Sequence, residues 1–98
     1  MRTFPLSEVA EIAARVDSVF FDRVTLSAIL FDREGEPINP AFADSTGMVD
    51  LYEEGGGEEK AQDSLYDLLS LINRITGKTF KGKEEKKWVK FYSRARTG

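Results

Sequence analysis

The C-terminal segment, residues 76–96, combines cationic and aromatic side chains in a pattern that could bind an anion. It holds eight lysine and arginine residues together with Trp88 and three other aromatic residues. Ammonium and guanidinium groups contact phosphates, and an indole ring stacks on nucleobases, so nucleic acid is one ligand that this composition would suit. The side chains that would bind the anion are Lys83, Lys86, Lys87, Lys90, Arg94 and Arg96.

The same segment has a simpler interpretation as a helix with one buried aromatic face. Trp88, Phe91 and Tyr92 follow a three- and four-residue spacing, which places them on one side of a helix over residues 84–96. An exposed stacking surface does not require that spacing. We therefore favour burial of the three rings against the preceding helix, with the lysines in water. Nucleic acid, and a membrane surface or an acidic protein, remain the alternatives for this segment.

A second group of charges lies in the acidic residues between positions 44 and 59. Such carboxylates could hold a hard cation or contact a basic protein. Their spacing fits no EF-hand pattern and the glycines follow them, so we predict no metal site. A protein partner is the favoured ligand. The predicted partner-binding residues are Asp44, Asp50, Glu53, Glu54, Glu58 and Glu59.

Several kinds of enzymatic chemistry are excluded because the chain has no cysteine and no histidine, so that only carboxylates and lysines are left for acid–base catalysis. Disulfides, thiolate or imidazole metal sites, cysteine nucleophiles and Ser-His-Asp triads are therefore absent. Two motif fragments, D-S-T-G at 44–47 and G-K-T at 77–79, lack the surrounding residues that protease and phosphate-loop motifs require. We expect a non-enzymatic protein without catalytic residues, metal or cofactor.

Length and composition predict one domain over residues 1–98. The chain is 41% hydrophobic and 32% charged, which is typical of a globular protein with a modest core. Residues 1–73 hold five basic and fifteen acidic side chains, whereas residues 74–98 hold nine basic and two acidic ones. No apolar run approaches the roughly 18 residues of a membrane span, and the first residues lack the apolar core and small-residue cleavage site expected of a secretion signal. We therefore expect a cytoplasmic protein.

The periodicity of apolar residues predicts helices over about 7–21 and from 58 or 63 to 76. Leu65, Leu69 and Ile72 lie on the apolar face of the second helix, and Gly77 occupies the position of a left-handed C-cap. The core prediction depends on Leu65 and Leu69 meeting Trp88 and Phe91 of the C-terminal helix.

Segment 22–31 fits two structures. Its β-branched residues favour a strand, whereas its length without glycine or proline favours a helix, which we prefer. Residues 34–57 contain five glycines and two prolines and are predicted to form a long loop, with a flexible joint at 55–57. The expected fold is a mostly α domain of about four helices. The alternative is an α+β fold with a short hairpin within 23–52.

The segment LLSLINRITGKTF at 68–80, followed by WVKFY at 88–92, resembles the terminal helix pair of bacterial HEAT-repeat-like proteins. Those proteins carry L-x-x-L-T-G, a phenylalanine and then W-x-x-W-W. Here Ile75 replaces a leucine, and Phe91 and Tyr92 replace the second aromatic pair. The resemblance covers residues 65–92 and implies stacked helical hairpins that bind proteins, with no catalytic residues.

Taken together, these patterns predict a non-enzymatic protein-interaction module of the immunity, inhibitor or scaffold type, which binds through the acidic loop. The alternative is binding of nucleic acid or another anionic surface by a basic aromatic C-terminal helix.

Overall fold

Residues 3–94, which the computed structural model describes, form a six-stranded antiparallel sheet and two α-helices. In chain order the elements are α1 (Leu6–Ile12), a 3-10 helix (Ala13–Arg15), β1 (Ser18–Asp22), β2 (Ser27–Phe31), β3 (Pro37–Ile38), β4 (Met48–Asp50), α2 (Gly57–Thr76), β5 (Thr79–Glu84) and β6 (Trp88–Arg94). The fold class is α+β. The prediction of a mostly α domain with about four helices is wrong.

The strand order is β3-β2-β1-β6-β5, and β4 pairs with the same edge of β2 as β3 does. The two short strands therefore form one interrupted edge of the sheet. Helix α2 connects β4, at this edge, to β5, at the opposite edge. The last strand then returns to the middle of the sheet beside β1.

The core lies between the helices and one face of the sheet. Val19 and Phe21 of β1 are fully buried, and their neighbour Phe20 is only half-buried because successive strand residues point to opposite faces. Helix α2 contributes Leu65, with Leu68, Leu69 and Ile72, to the same core. Other buried apolar residues include Phe4, Val9, Ile12, Val16, Ala28, Leu30, Ile38, Val49, Leu51, Val89 and Phe91.

The predicted helix over residues 7–21 is wrong in its second half. Regular helix ends at Ile12, and strand β1 begins at Ser18. Val19 and Phe20 fit the helical spacing, but Val19 and Phe21 also alternate with Phe20 as strand residues do, and β-branched and aromatic residues favour strands. Pairing with β2 places both of them on the buried face.

The preferred helix over residues 22–31 is wrong, since this segment is a turn followed by β2. The Asp22 carboxylate accepts hydrogen bonds from the backbone N–H groups of Val24 at 2.8 Å and Thr25 at 3.1 Å. Leu26 then takes a left-handed conformation with φ of 57°, which a non-glycine residue rarely adopts. Side-chain bonds of this kind compete with helix formation, and they explain why the segment turns.

Helix α2 is confirmed, and so is its C-cap. The helix ends at Thr76, and Gly77 has a φ of 79° and donates its N–H to the Asn73 carbonyl at 2.7 Å. The Lys78 ammonium then donates to the Ala14 and Val16 carbonyls, each at 2.8 Å. These bonds fix the start of β5 to the segment that precedes β1.

The predicted helix over residues 84–96 is wrong, because residues 79–94 form the hairpin of β5 and β6. Phe91 is buried as predicted, but Trp88 lies outside the core cluster and does not join Leu65 and Leu69. The helical architecture implied by the resemblance to HEAT-repeat-like proteins is also contradicted, since the WVKFY segment is strand β6. Residues 95 and 96 of the predicted helix lie outside the described residues.

Part of the predicted loop over residues 34–57 is strand. It contains β3 and β4, and Val49 and Leu51 are buried in the core. Phe42 packs edge to face on Phe4, with ring centroids 5.1 Å apart. The triple glycine leads directly into α2, with positive φ at Gly55 and Gly57. Of the two helices among residues 3–94, neither has the combined length and apolar character needed to cross a lipid bilayer.

Candidate binding face of the sheet

The face of the sheet that points away from the helices carries large apolar and basic side chains. We call it the open face. Its apolar members are half-buried, apart from the exposed Tyr92, and they lie outside the core cluster. Its large apolar and basic side chains include Phe20, Ile29, Phe31, Met48, Lys81, Lys83, Trp88, Lys90 and Tyr92.

Strand pairing arranges these side chains in rows, because directly opposed residues project from the same face. One row crosses the whole sheet in the order Met48, Ile29, Phe20, Lys90, Lys83. Its character changes from apolar at β4 to basic at β5. The open face is therefore divided into an apolar half and a basic half.

A second row runs through Pro37, Phe31, Ser18, Tyr92 and Lys81. It repeats the change from apolar to basic. The third row, Asp50, Ser27, Asp22 and Trp88, carries the acidic side chains of this face.

Two aromatic contacts organise the centre of the open face. The Trp88 and Phe20 ring centroids are 5.7 Å apart with an interplanar angle of 31°. The Lys90 ammonium lies 5.2 Å from the centroid of the Tyr92 ring, which is a cation–π distance, and Tyr92 is 46% exposed. The aromatic side chains thus shield one another partly and still present ring surface to a ligand.

Lys83 and Lys90 are directly opposite each other on β5 and β6. Like charges in this position destabilise a pair of strands. Lys81, Lys83, Tyr92 and Arg94 also line a shallow depression of about 350 Å³. This part of the open face is electrostatically suited to an anionic group.

The predicted anion-binding residues therefore separate into two sets. Lys83 and Lys90 come together on the open face, and Arg94 lies at the end of β6. Lys86 and Lys87 are exposed in the turn between the strands. Arg96 lies outside the described residues.

Sequence reasoning missed the apolar half of the face, including Phe20, Ile29 and Phe31. The two-residue alternation within residues 18–22 and 27–31 was the signal that could have shown it.

The acidic loop is engaged in its own structure at Asp44. This carboxylate accepts bonds from the Thr46 hydroxyl at 2.6 Å, the Thr46 N–H at 2.8 Å and the Met48 N–H at 3.0 Å. The Thr46 hydroxyl and the Met48 N–H hold the pKa of Asp44 below its ordinary value. Asp44 thus shapes the turn before β4.

Glu58 is engaged with Arg23. The Arg23 guanidinium lies 3.0 Å from the Glu58 carboxylate and donates a second bond of 3.0 Å to the Glu85 carbonyl. The bond to Glu58 raises the pKa of Arg23. Glu58 also accepts a bond from Gln62 at 3.3 Å. Arg23, in the β1–β2 turn, therefore contacts both the start of α2 and the β5–β6 turn.

The remaining acidic candidates differ in exposure. Asp50 is exposed and accepts the Tyr52 N–H at 2.9 Å, Glu53 is half-buried, and Glu54 and Glu59 are exposed. Within the part of the chain that the structure describes, no three carboxylates converge as metal ligands would. Local bonding of Asp44, Asp50 and Glu58 weakens the case for this loop as the contact surface.

Comparison of the chain with protein-family models, with curated proteins and with solved structures gave no significant match. The geometry of the open face is therefore the basis for a functional proposal.

Proposed function

We propose that the chain is a non-enzymatic protein-interaction module that contacts its partner through the open face of the sheet. The main support for this proposal is that Phe20, Phe31 and Trp88 lie half-buried on a sheet face that points away from both helices. A cytoplasmic location, as expected from the sequence, is part of this proposal.

The composition of the open face supports a protein partner. An antiparallel sheet that faces water on one side normally alternates apolar inward residues with polar outward ones. Here two of the three outward residues of β2, Ile29 and Phe31, are large and apolar, and only Ser27 is polar. Contiguous apolar patches with aromatic residues are characteristic of protein interfaces. The open face thus has a stronger case than the acidic loop.

A comparison of captured proteins tests this proposal. Wild-type protein and the double variant Phe31→Thr with Trp88→Thr would be immobilised and exposed to an extract of the source cells. The matched control removes two exposed apolar side chains elsewhere, with Leu6→Ser on α1 (60% exposed) and Val24→Thr in the β1–β2 turn (70% exposed).

The expected result is a set of proteins retained by wild type and control but lost by the open-face variant. Circular dichroism of all three would establish that they are folded. Retention of the same proteins by the open-face variant would contradict the proposal.

A second candidate function, binding of single-stranded nucleic acid, is favoured by one specific observation. Trp88 and Tyr92 share the open face with Lys83 and Lys90, and bases stack on aromatic rings while ammonium groups contact phosphates. Affinity for a labelled oligonucleotide would then fall steeply with salt. It would also fall in Lys83→Glu with Lys90→Glu, but not in the turn control Lys86→Glu with Lys87→Glu. No binding at low salt would reject this candidate.

A further inference from the structure

We infer that the outer edge of β5 accepts an extended segment of the partner protein, in which apolar side chains alternate with acidic ones. The inference rests on the proposed protein-interaction function and specifies the chemistry of the partner. It combines three features of β5: its outer edge, the apolar groove on its helix side, and the basic row on the open face.

The first feature is the edge itself. Strand β5 spans Thr79–Glu84 and, within residues 3–94, pairs only with β6. Every residue of the strand is exposed apart from the half-buried Phe80. An edge strand presents backbone donors and acceptors to which another strand can bind. Six residues extend about 20 Å, which is long enough to pair a short peptide.

The second feature is a groove on the helix side of β5. It has a volume of about 330 Å³ and is lined mainly by rings and aliphatic groups, including Tyr66, Leu69, Phe80 and Phe91. Gly82 faces this side without a side chain, directly opposite Phe91. In an added strand, residues opposite Phe80 and Gly82 would project on this side. Apolar side chains suit the groove.

The third feature is the basic row on the other side of β5. Residues of an added strand opposite Lys81 and Lys83 would project onto the open face beside these two ammonium groups. Lys83 already faces Lys90 across the strand pair. A carboxylate next to Lys83 would offset this repulsion, so acidic side chains suit this side.

The same charges argue against a second copy of the chain as the occupant. Pairing β5 with another β5 would bring the rows of Lys81 and Lys83 from two molecules together. Like charges across a strand pair are unfavourable, and lysines on edge strands oppose self-pairing. Charge complementarity therefore selects a different, acidic partner.

Two labelled synthetic peptides test the inference. Each has about eight residues, the length that covers β5, and alternates leucine with either glutamate or lysine. Binding would be measured by fluorescence anisotropy at low salt, and the bound site by chemical-shift changes of backbone amides. The variants are Lys81→Glu with Lys83→Glu, and the matched turn control Lys86→Glu with Lys87→Glu.

The glutamate peptide is expected to bind wild type and the turn control equally. Its affinity for the β5 variant should be weaker by about tenfold, as expected when two ion pairs become two repulsions. The lysine peptide should instead prefer the β5 variant. The largest amide shifts should fall in residues 79–84.

The inference would be overturned if the glutamate peptide did not bind, if it bound wild type and the β5 variant equally, or if the amide shifts were confined to β1 and β2. Self-association of the wild type that is lost in the β5 variant would also overturn it, because a second copy would then occupy the edge. These outcomes are separable from failure of the proposed function, which the capture experiment with the open-face variant measures independently.

Discussion

The Trp88 ring lies against Phe20 on the open face of the sheet, whereas Phe91, three residues further along the same strand, is buried against α2. The Phe91 and Tyr66 ring centroids are 6.1 Å apart at 90°, an edge-to-face contact between β6 and α2. Because side chains alternate along a strand, Trp88 and Phe91 project from opposite faces of the sheet. Their roles should differ accordingly, one in stability and the other in binding.

The stability effects of the two rings should therefore differ. Phe91→Ala removes a buried ring and is expected to lower the free energy of unfolding by about 3–5 kcal/mol. Trp88→Ala removes a half-buried ring with one aromatic contact and should cost only about 1–2 kcal/mol. Urea denaturation of both variants provides the comparison. Equal losses would mean that Trp88 contributes to the core after all.

Gly82 should tolerate no side chain. A Cβ at this position would lie 2.9 Å from Cε1 of Phe91, which is closer than real Cβ contacts come. Because that ring is buried, Gly82→Ala should destabilise the fold by about 1–3 kcal/mol through overpacking. Lys81→Ala, at an exposed position of the same strand, is the control and should be nearly neutral.

The cause of this loss can be checked with a double mutant. If the clash with Phe91 is responsible, Gly82→Ala should be less costly in a Phe91→Leu background than in the wild type. Strictly additive losses would point to another cause, such as a change in the backbone of β5.

The left-handed C-cap at Gly77 should also be sensitive. Gly77 has a φ of 79°. A residue with a Cβ is less stable in this left-handed conformation by about 1–2 kcal/mol. We expect Gly77→Ala to lower the free energy of unfolding by that amount, and Gly77→Asn to be milder, because asparagine tolerates this conformation better. Thermal or urea unfolding of the two variants would show the order, and an equal loss would disprove the conformational explanation.

Helix α2 and its C-cap Gly77 were predictable from the sequence because their signals are local. These signals are the spacing of the apolar residues and the glycine that follows the last turn. The strands were not, since Trp88, Phe91 and Tyr92 satisfy a helical spacing while Val89 and Phe91 also satisfy a strand spacing. Only pairing with β1 decides between the two patterns, and that pairing joins residues about 70 positions apart.

The candidate binding face could not be predicted from the sequence either, because it also depends on strand pairing. Lys83 and Lys90 were recognised as possible anion ligands, but their position opposite each other follows from the register of β5 and β6. Likewise, Phe20 and Trp88 become neighbours only when β1 and β6 pair. Residue types could therefore be predicted, whereas the surface that they form could not.

The stability of the fold should depend on pH through Asp22. The N–H groups of Thr25 and Val24 hold the pKa of this carboxyl below its ordinary value of 3.8. Because the folded protein binds the proton less readily than the unfolded chain, the ionised carboxylate stabilises the fold above the ordinary pKa. That stabilisation is lost as the pH falls through the lowered pKa of the folded state.

Substitution by asparagine removes this titration at Asp22. The free energy of unfolding would be measured in urea at about pH 6 and about pH 3, on either side of the ordinary carboxyl pKa. Asp22→Asn should lose less stability between the two pH values than the wild type does. Glu59→Gln, at an exposed position of α2, is the matched control. If Asp22→Asn kept the full pH dependence of the wild type, the bonds from Asp22 to the β1–β2 turn would not be its source.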